Sequence, residues 1–347
     1  MTQIKNEEIC PFLHNCCGMF VLNGNVGYSR FTQEQLEYYS RRSDADFVRS
    51  HTSAGIYLEC KTDAPEIGFV YRIYTAKGAW MDNSGIDIWE NGVFSENIRL
   101  CITDSEWIPV CYRRSSKEPS VIRIWFPNGV IFLPREFELG NAQPVPEKQR
   151  RILFYGDSLT QSSYIATPSL SWFCYTADYL DAEYLNRGIG SMIFDPDSLP
   201  AASDYDPDLV FIEYGLNDMV LTPDNDAAEK NASAWIEKLG RLYPKAEKYC
   251  ILPTFRCAGR NEGYLDRLCD FIPRIQNICD QNDICCIPGE ELIPALPNLY
   301  VDDCVHFNEA GSAVVANRLI CYLKKMNKPN AIKVSSSILS ISEQEPI

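Results

Sequence analysis

The sequence predicts two successive units, an all-β sandwich followed by an α/β fold with a parallel sheet. Two patterns support this division. Before about residue 140, short strands of alternating apolar residues are separated by turn residues, which is typical of a β-sandwich. After residue 150, continuous apolar strands alternate with longer segments of helical periodicity, which predicts a parallel sheet with helices on both faces.

The first unit, residues 1–142, is predicted to contain one helix, Thr32–Arg42, followed by short strands. Asn91-Gly92 favours a two-residue hairpin turn, and Pro127-Asn128-Gly129 marks another turn between apolar segments. The predicted strands of this unit are residues 54–60, 67–74, 86–89, 121–126 and 130–133.

Residues 143–149 are polar, contain two prolines and are predicted to form a linker to the α/β domain, residues 150–326. Asn308 is a candidate N-cap for a last helix that ends near Lys325. Residues 327–347 are predicted to be a polar, serine-rich tail. The predicted strands are 151–155, 182–186, 209–214, 248–252 and 284–287, and the earlier predicted helices are 171–180, 227–243 and 262–281.

The charge of the chain argues against two classes of partner. A formal net charge of −15 and a pI near 4.7 repel phosphate backbones and anionic lipid headgroups, so neither nucleic acid nor a membrane is expected as a partner. A neutral small substrate is compatible with such a surface. The composition gives no indication of oligomeric state.

The cysteine content favours a reducing compartment. Fifteen cysteines is an odd number without a Cys-x-x-Cys pair, which is more typical of buried thiols in a cytoplasmic protein than of a disulfide framework. Residues 1–10 are polar and acidic and do not resemble a secretory signal. We therefore expect a cytoplasmic location.

Ser158 lies in Gly156-Asp157-Ser158-Leu159, directly after the strand predicted over 151–155. Ligands of open parallel sheets bind beyond the carboxyl ends of the strands, which is where this serine would stand. Its functional interpretation is a nucleophile. The alternative is an ordinary N-cap of the helix that follows.

Asp303 and His306 precede the last predicted helix. A serine nucleophile needs a base, and that base needs an orienting carboxylate. The chain has three histidines, of which His306 alone has a carboxylate three residues away, although the adjacent Asp302 is also a candidate for the orienting role. His14 and His51 are expected to be structural or exposed, and their distance in sequence disfavours a metal site.

Asn217 follows the strand predicted over 209–214, in Gly215-Leu216-Asn217-Asp218. Its amide can donate to a developing oxyanion, or the Asn-Asp pair can simply form a turn. Taken singly, Ser158, the Asp303–His306 pair and Asn217 each have an alternative interpretation. Together they provide a nucleophile, a base, an orienting carboxylate and an oxyanion donor.

These blocks resemble those of the SGNH, or GDSL, hydrolase family over roughly residues 150–326. Segments 156–159, 215–218 and 303–306 match three blocks of the family, and Asn186-Arg187-Gly188-Ile189-Gly190-Ser191 is similar to the remaining block. The resemblance implies a three-layer α/β/α, flavodoxin-like domain and an ester hydrolase that uses no cofactor and no metal. It also implies Ser158, Asp303 and His306 as the catalytic triad.

The resemblance further implies an oxyanion hole that contains the backbone N–H of Ser158 and the side chain of Asn217. In many relatives a second glycine at the end of the 186–191 block lends its backbone N–H to the hole. Here Ser191 stands at that place, after Gly190. Either Gly190 or Ser191 is therefore the expected backbone donor.

The β unit is similar to an N-terminal domain found in some of these hydrolases, a jelly-roll-like β-sandwich. Gly85-Ile86-Asp87-Ile88-Trp89 resembles the Gly-x-Asp-Leu-Tyr signature of that domain. Its tryptophans are either a sugar-stacking face or, as is more common, core residues. The four tryptophans concerned are Trp80, Trp89, Trp107 and Trp125.

The sequence thus predicts an esterase that removes small acyl groups, acetyl groups foremost, from carbohydrates or other small molecules. One alternative is a lysophospholipase or other lipid acylhydrolase. Another is a sugar-binding protein on a hydrolase scaffold that has lost catalysis. Arg256 and Arg260 follow a strand end and are further candidates for substrate contact.

Overall fold

A computed structural model of the protein describes residues 8–74, 85–101, 106–203, 205–254 and 263–326. The predicted tail over 327–347, Trp80, Arg256 and Arg260 lie outside these residues.

The N-terminal unit is built of antiparallel strands in two main sheets and one hairpin. Its strands are β1 (Leu13–His14), β2 (Gly18–Leu22), β3 (Asn25–Ser29), β4 (Tyr57–Thr62), β5 (Glu66–Tyr74), β6 (Gly85–Glu90), β7 (Val93–Arg99), β8 (Ile108–Arg113), β9 (Ser120–Trp125) and β10 (Ile131–Glu138). One sheet has the order β1-β4-β9-β6-β7, the other has the order β10-β5-β8, and β2 pairs with β3. The antiparallel β architecture predicted from the sequence is confirmed.

The predicted turns of this unit have two different outcomes. Asn91 and Gly92 have φ values of 52° and 77° and close the β6–β7 hairpin, as the Asn-Gly pair predicts. The turn at 127–129 instead leads from β9 in one sheet to β10 in the other. The two sheets therefore enclose a common apolar core, in which the rings of Phe126 and Phe132 lie 5.1 Å apart.

Two helices precede β4, although the sequence pattern predicts one. Helix α1 (Gln33–Arg42) begins with a capping box in which Thr32 accepts from the N–H of Gln35. Helix α2 (Asp44–Ser50) follows at once, with Ser43 as its N-cap. Its seven residues are too short and too polar for apolar periodicity to reveal it.

The α/β domain contains β12 (Arg150–Gly156), β13 (Ala182–Gly188), β14 (Leu209–Glu213), β15 (Glu247–Ile251) and β16 (Cys285–Ile287), after the short strand β11 (Gln143–Pro144). Strands β12 to β16 are parallel and lie in the order β13-β12-β14-β15-β16. This is the flavodoxin-like order, with its switch point beside the first strand. The fold class predicted for this domain is confirmed.

Helices cover both faces of the sheet because right-handed crossovers change face when the strand order reverses. The helices are α3 (Ser158–Gln161), α4 (Trp172–Tyr179), α5 (Asp218–Leu221), α6 (Asn225–Leu242), α7 (Tyr264–Gln281), α8 (Gly289–Leu292) and α9 (Glu309–Lys325). Asn308 caps α9 by accepting from the N–H of Gly311, as predicted. The short helices α3, α5 and α8 were not predicted, since one turn leaves no periodic signal.

The two units are in extensive contact. Gln143–Pro144, in the predicted linker, forms β11 and pairs with β4 of the N-terminal unit. Arg30 is fully buried and donates to the carbonyl oxygens of Asn186 and Gly188, both at 2.7 Å. Arg30 of the N-terminal unit thus helps to position strand β13. The exact boundary between the two units stays a prediction.

Candidate active site

The turn after β12 places Ser158 at the carboxyl end of the central strand. Asp157 caps helix α3, and its Oδ1 accepts from the N–H of Leu159 at 2.9 Å. A Cβ atom at Gly156 would lie 2.1 Å from Oγ1 of Thr160, so this position has space for glycine alone. The tight turn leaves Ser158 largely buried, with 8% of its surface exposed.

His306 connects Ser158 to Asp303. Its Nε2 lies 2.7 Å from Oγ of Ser158, and its Nδ1 lies 2.5 Å from Oδ2 of Asp303. The other carboxylate oxygen of Asp303 accepts the backbone N–H groups of Val305 and His306, at 2.8 and 2.9 Å. The three side chains thus form a continuous chain of contacts from carboxylate to imidazole to hydroxyl.

Asp303, rather than its neighbour Asp302, contacts the imidazole ring. Partial burial raises the pKa of Asp303, but the hydrogen bonds from the ring and backbone of His306 outweigh this effect and lower that pKa to about 2. Asp303 is therefore ionised at neutral pH, which favours the imidazole tautomer with hydrogen on Nδ1 and leaves Nε2 as an acceptor for the serine hydroxyl.

Tyr164 forms one wall of this site, and the sequence pattern does not predict it as a site residue. It follows helix α3, and its ring stacks on the imidazole of His306 with centroids 4.0 Å apart. A single tyrosine in a loop has no local signal of such a role, because the stacking partner lies more than one hundred residues further along the chain.

Gly190 and Ser191 follow β13, which pairs with the strand that leads to Ser158. The N–H of Gly190 donates to Oε1 of Gln161 at 2.8 Å, so that hydrogen already has a partner. Ser191 has a φ of 61°, a left-handed conformation that glycine adopts more readily. Its side chain is exposed, whereas Gly190 is buried.

Asn217 lies beyond β14 and faces Asp157. Its Nδ2 donates to Oδ2 of Asp157 at 2.8 Å and to the carbonyl oxygen of Met192 at 3.2 Å. The first bond orients the amide toward the turn that bears Ser158. The longer second bond occupies the hydrogen that would otherwise be available to a substrate oxygen.

Two buried carboxyl groups lie behind Asp157. Burial and the nearby carboxylate of Asp157 raise the pKa of Glu213 well above its ordinary value, and Oε2 of Glu213 accepts from Oγ1 of Thr160 at 3.0 Å. Burial also raises the pKa of Asp218, to about 7. The raised pKa of Glu213 favours its protonated form, which limits the negative charge beneath the site.

The other histidines have structural contacts. His14 is buried, lies 3.0 Å from Glu183 and stacks on Tyr57, and Nδ1 of His51 lies 2.7 Å from the carbonyl oxygen of Phe47. The structural alternative therefore holds for both, and the exposed alternative is wrong. Across the residues that the structure describes, no cluster of three or more His, Cys, Asp or Glu is arranged to hold a metal ion.

The described tryptophans of the β unit have different environments. Trp125 is buried in the core, and Trp89 packs edge-on against Phe94. Trp107 lies under the guanidinium of Arg135, 3.6 Å from its ring centroid. The core interpretation therefore holds for Trp125.

Residues 154–314 match the model of the GDSL-like lipase/acylhydrolase family. The α/β domain is a GDSL-type hydrolase domain. The resemblance of this domain to the family is thereby confirmed, and the domain is that of an ester hydrolase. No curated protein is significantly similar to the chain in sequence.

Solved structures share the fold of the GDSL-type domain together with that of the β unit. The salicylyl-acyltransferase SsfX3 of a tetracycline biosynthetic pathway has a TM-score of 0.81 at 13% identity, over 94% of this chain and 97% of its own. A GDSL-like lipase from Bacteroides ovatus has a TM-score of 0.74 at 13% identity, with the same coverage. The acetyl xylan esterase Est2A from Butyrivibrio proteoclasticus has a TM-score of 0.61 at 14% identity, over 94% and 98%.

No helix in the described ranges is long and apolar enough to cross a membrane.

Proposed function

We propose that the protein removes small acyl groups, acetyl groups foremost, from carbohydrates or other small alcohols through a Ser158–His306–Asp303 triad. The observation that carries this proposal is the pair of contacts made by His306. One ring nitrogen lies 2.7 Å from Oγ of Ser158, and the other lies 2.5 Å from Asp303. The first distance is short enough for direct proton transfer from Ser158 to His306, and the second is short enough for Asp303 to orient the ring.

In the first half of the reaction, His306 accepts the proton of Ser158 as Oγ attacks the ester carbonyl. Asp303 holds the imidazole in the required tautomer and stabilises the imidazolium that forms. His306 then protonates the leaving alcohol, and the acyl group remains on Oγ of Ser158. In the second half, water loses a proton to His306 and attacks the carbonyl carbon of the acyl-enzyme. The bond to Oγ then breaks, His306 returns the proton to Oγ of Ser158, and the acid is released.

The oxyanion is proposed to be held by the backbone N–H groups of Ser158 and Ser191 and by the side chain of Asn217. Ser191 is preferred to Gly190 because the N–H of Gly190 is already bonded to Gln161. Asn217 would exchange its longer bond to a carbonyl oxygen for one to the oxyanion. This exchange favours the transition state only if the new bond is the stronger, as a bond to a charged oxygen is.

The acyl and alcohol parts of the substrate are proposed from charge and from the fold. A chain with a net charge of −15 admits a neutral acylated sugar more easily than an anionic lipid surface. An acetyl xylan esterase and a family two carbohydrate esterase from Cellvibrio japonicus share the two-unit fold, which is compatible with this choice. The cytoplasmic location remains a prediction from the cysteine content.

Hydrolysis of a chromogenic acetate tests the proposal. Wild type should release a burst of product followed by steady turnover, and Ser158→Ala should show neither. Ser163→Ala is a matched control, because Ser163 is buried nearby and its Oγ has no hydrogen-bond partner among the described residues. Equal rates for wild type and Ser158→Ala would show that Ser158 is not the nucleophile.

An acyl-length series separates acetyl esterase from lipid acylhydrolase. Rates that fall from acetate to longer acyl chains support the proposal, whereas a steady rise to long chains supports the lipid alternative. If no ester of the series is hydrolysed but acylated or free sugars still bind, the non-catalytic alternative is the correct one.

A further inference from the structure

Two arginines of the N-terminal helices contact the residues on either side of Ser191. Nη1 of Arg49, in α2, donates to the carbonyl oxygen of Gly190 at 2.9 Å. Nη1 of Arg42, at the end of α1, contacts Sδ of Met192. The segment that carries Ser191 is therefore held from the N-terminal unit and not only by its own domain.

The bond from Arg49 fixes the direction of one particular N–H group. The carbonyl of Gly190 and the N–H of Ser191 belong to the same peptide unit, which is planar and trans. The C=O and N–H of a trans peptide point in opposite directions. Anchoring the carbonyl oxygen on Arg49 therefore directs the N–H of Ser191 away from the arginine.

The same bond strengthens that N–H as a donor. A guanidinium that donates to a carbonyl polarises the whole peptide, because hydrogen bonds in series reinforce one another by about 10–30% each. The side chain of Arg49 is only 14% exposed, so water screens this effect little. Asp46 lies 3.6 Å from Arg49 and holds the guanidinium in place.

The preceding peptide is held as well. The N–H of Gly190 donates to Oε1 of Gln161, and Nε2 of Gln161 lies 3.2 Å from Oγ1 of Thr52, in the segment after α2. Both polar groups of Gly190 are thus bonded. These hydrogen bonds offset the conformational free energy, about 1–2 kcal/mol, that a left-handed non-glycine residue such as Ser191 costs.

From these contacts we propose that Arg49 is a positioning residue of the oxyanion hole, which orients and polarises the N–H of Ser191 through the carbonyl of Gly190. The inference rests on the proposed function, in which the N–H of Ser191 binds the oxyanion. It gives the N-terminal unit an indirect part in the reaction, since a residue outside the GDSL-type domain would orient a donor of its transition-state site.

The test compares Arg49→Met, Arg49→Lys and a matched control, Arg41→Met, in the full chain. Arg41 lies on the neighbouring helix with its side chain 73% exposed. Arg49→Met should lower kcat on a chromogenic acetate about tenfold and leave KM within about threefold, because the lost interaction acts on the transition state. Arg49→Lys should recover part of the loss, and Arg41→Met should match wild type.

A second measurement separates positioning from a merely structural role. The rate of inactivation by an alkyl fluorophosphonate, which places a charged oxygen in the same hole, should fall in parallel with kcat in Arg49→Met. Thermal unfolding shows whether the variant is folded at the assay temperature. A normal inactivation rate per folded molecule would overturn the inference, as would an unchanged kcat.

Ser158→Ala in the same series distinguishes the two possible failures. If Ser158→Ala is inactive while Arg49→Met equals wild type, the inference about Arg49 is wrong and the proposed function stands. If Ser158→Ala equals wild type, the proposed function is wrong and the inference about Arg49 is wrong with it.

Discussion

The phenol ring of Tyr164 lies nearly flat against the imidazole of His306, with centroids 4.0 Å apart and planes inclined by 21°. The face of the imidazole is thereby supported by an aromatic side chain while its two nitrogens contact Asp303 and Ser158. The imidazole is thus restrained in rotation as well as in tautomer.

Replacing Tyr164 tests the importance of this support. Tyr164→Phe keeps the ring and should leave kcat within about twofold of wild type. Tyr164→Ala should lower kcat about three- to tenfold, because a stacked aromatic pair contributes about 0.5–1.5 kcal/mol. Steady-state kinetics on a chromogenic acetate measures both. Equal rates for the Phe and Ala variants would show that the stacking has no catalytic effect.

Removing the charge of Asp303 should be far more costly. Asp303→Asn should lower kcat by about 10³–10⁴, because an amide does not hold the same imidazole tautomer. Asp302→Asn is the matched control and should behave as wild type, since Asp303 makes the contact with the ring. Because the pKa of Asp303 is about 2, its ionisation should not limit activity anywhere above pH 4. Similar losses in both variants would place the orienting role elsewhere.

Ser191→Gly separates the side chain of this residue from its backbone. Glycine keeps the N–H and relieves the left-handed strain at φ 61°, so kcat should stay within about twofold and the melting temperature should not fall. Asn217→Ala, which does remove a proposed oxyanion donor, should lower kcat by about 10²–10³. A large loss in Ser191→Gly would indicate that the serine hydroxyl itself takes part.

Asp218 should make stability depend on pH. Its pKa is about 7 in the folded protein and about 3.9 when unfolded, so the folded state holds the proton more tightly. Stability should therefore fall as the pH rises from about 4 to 7 and change little above that. In Asp218→Asn this contribution is absent, so its free energy of unfolding should fall about 2 kcal/mol less than that of wild type between pH 5 and pH 7. Urea unfolding at the two pH values measures the difference. An equal change in the free energy of unfolding in wild type and Asp218→Asn would contradict this prediction.

Asp87 tests the contact between the β unit and the loop that bears Tyr164. Its Oδ2 accepts the backbone N–H of Ser169 at 2.8 Å, and its Oδ1 accepts from Asn97 at 2.6 Å. Asp87→Ala should destabilise the protein by about 1–3 kcal/mol, because a buried N–H loses its partner. Glu96→Gln, on the exposed strand β7, is the control. Unchanged thermal unfolding in Asp87→Ala would show that this contact does not stabilise the interface.

Asp87 also shows how much a local motif reveals. The segment 85–89 resembles a family signature, but nothing in its sequence indicates that the carboxylate of Asp87 bonds to the α/β domain. Similarly, Arg49 lies in a helix that the sequence pattern does not predict. Gly190, whose carbonyl oxygen accepts from Arg49, belongs to the 186–191 block, and nothing in the sequence of that block indicates this contact.

Local sequence determined the parallel strands and the turn that requires Gly156, because buried strands, capped helices and tight turns depend on neighbouring residues. It also determined the candidates Ser158, Asp303, His306 and Asn217. Only the tertiary structure decided that Asp303 rather than Asp302 meets the imidazole, and that the N–H of Gly190 is bonded to Gln161. It alone placed Tyr164 on His306 and Arg49 on the carbonyl oxygen of Gly190, because these contacts join residues that are far apart in the chain and meet only when the chain has folded.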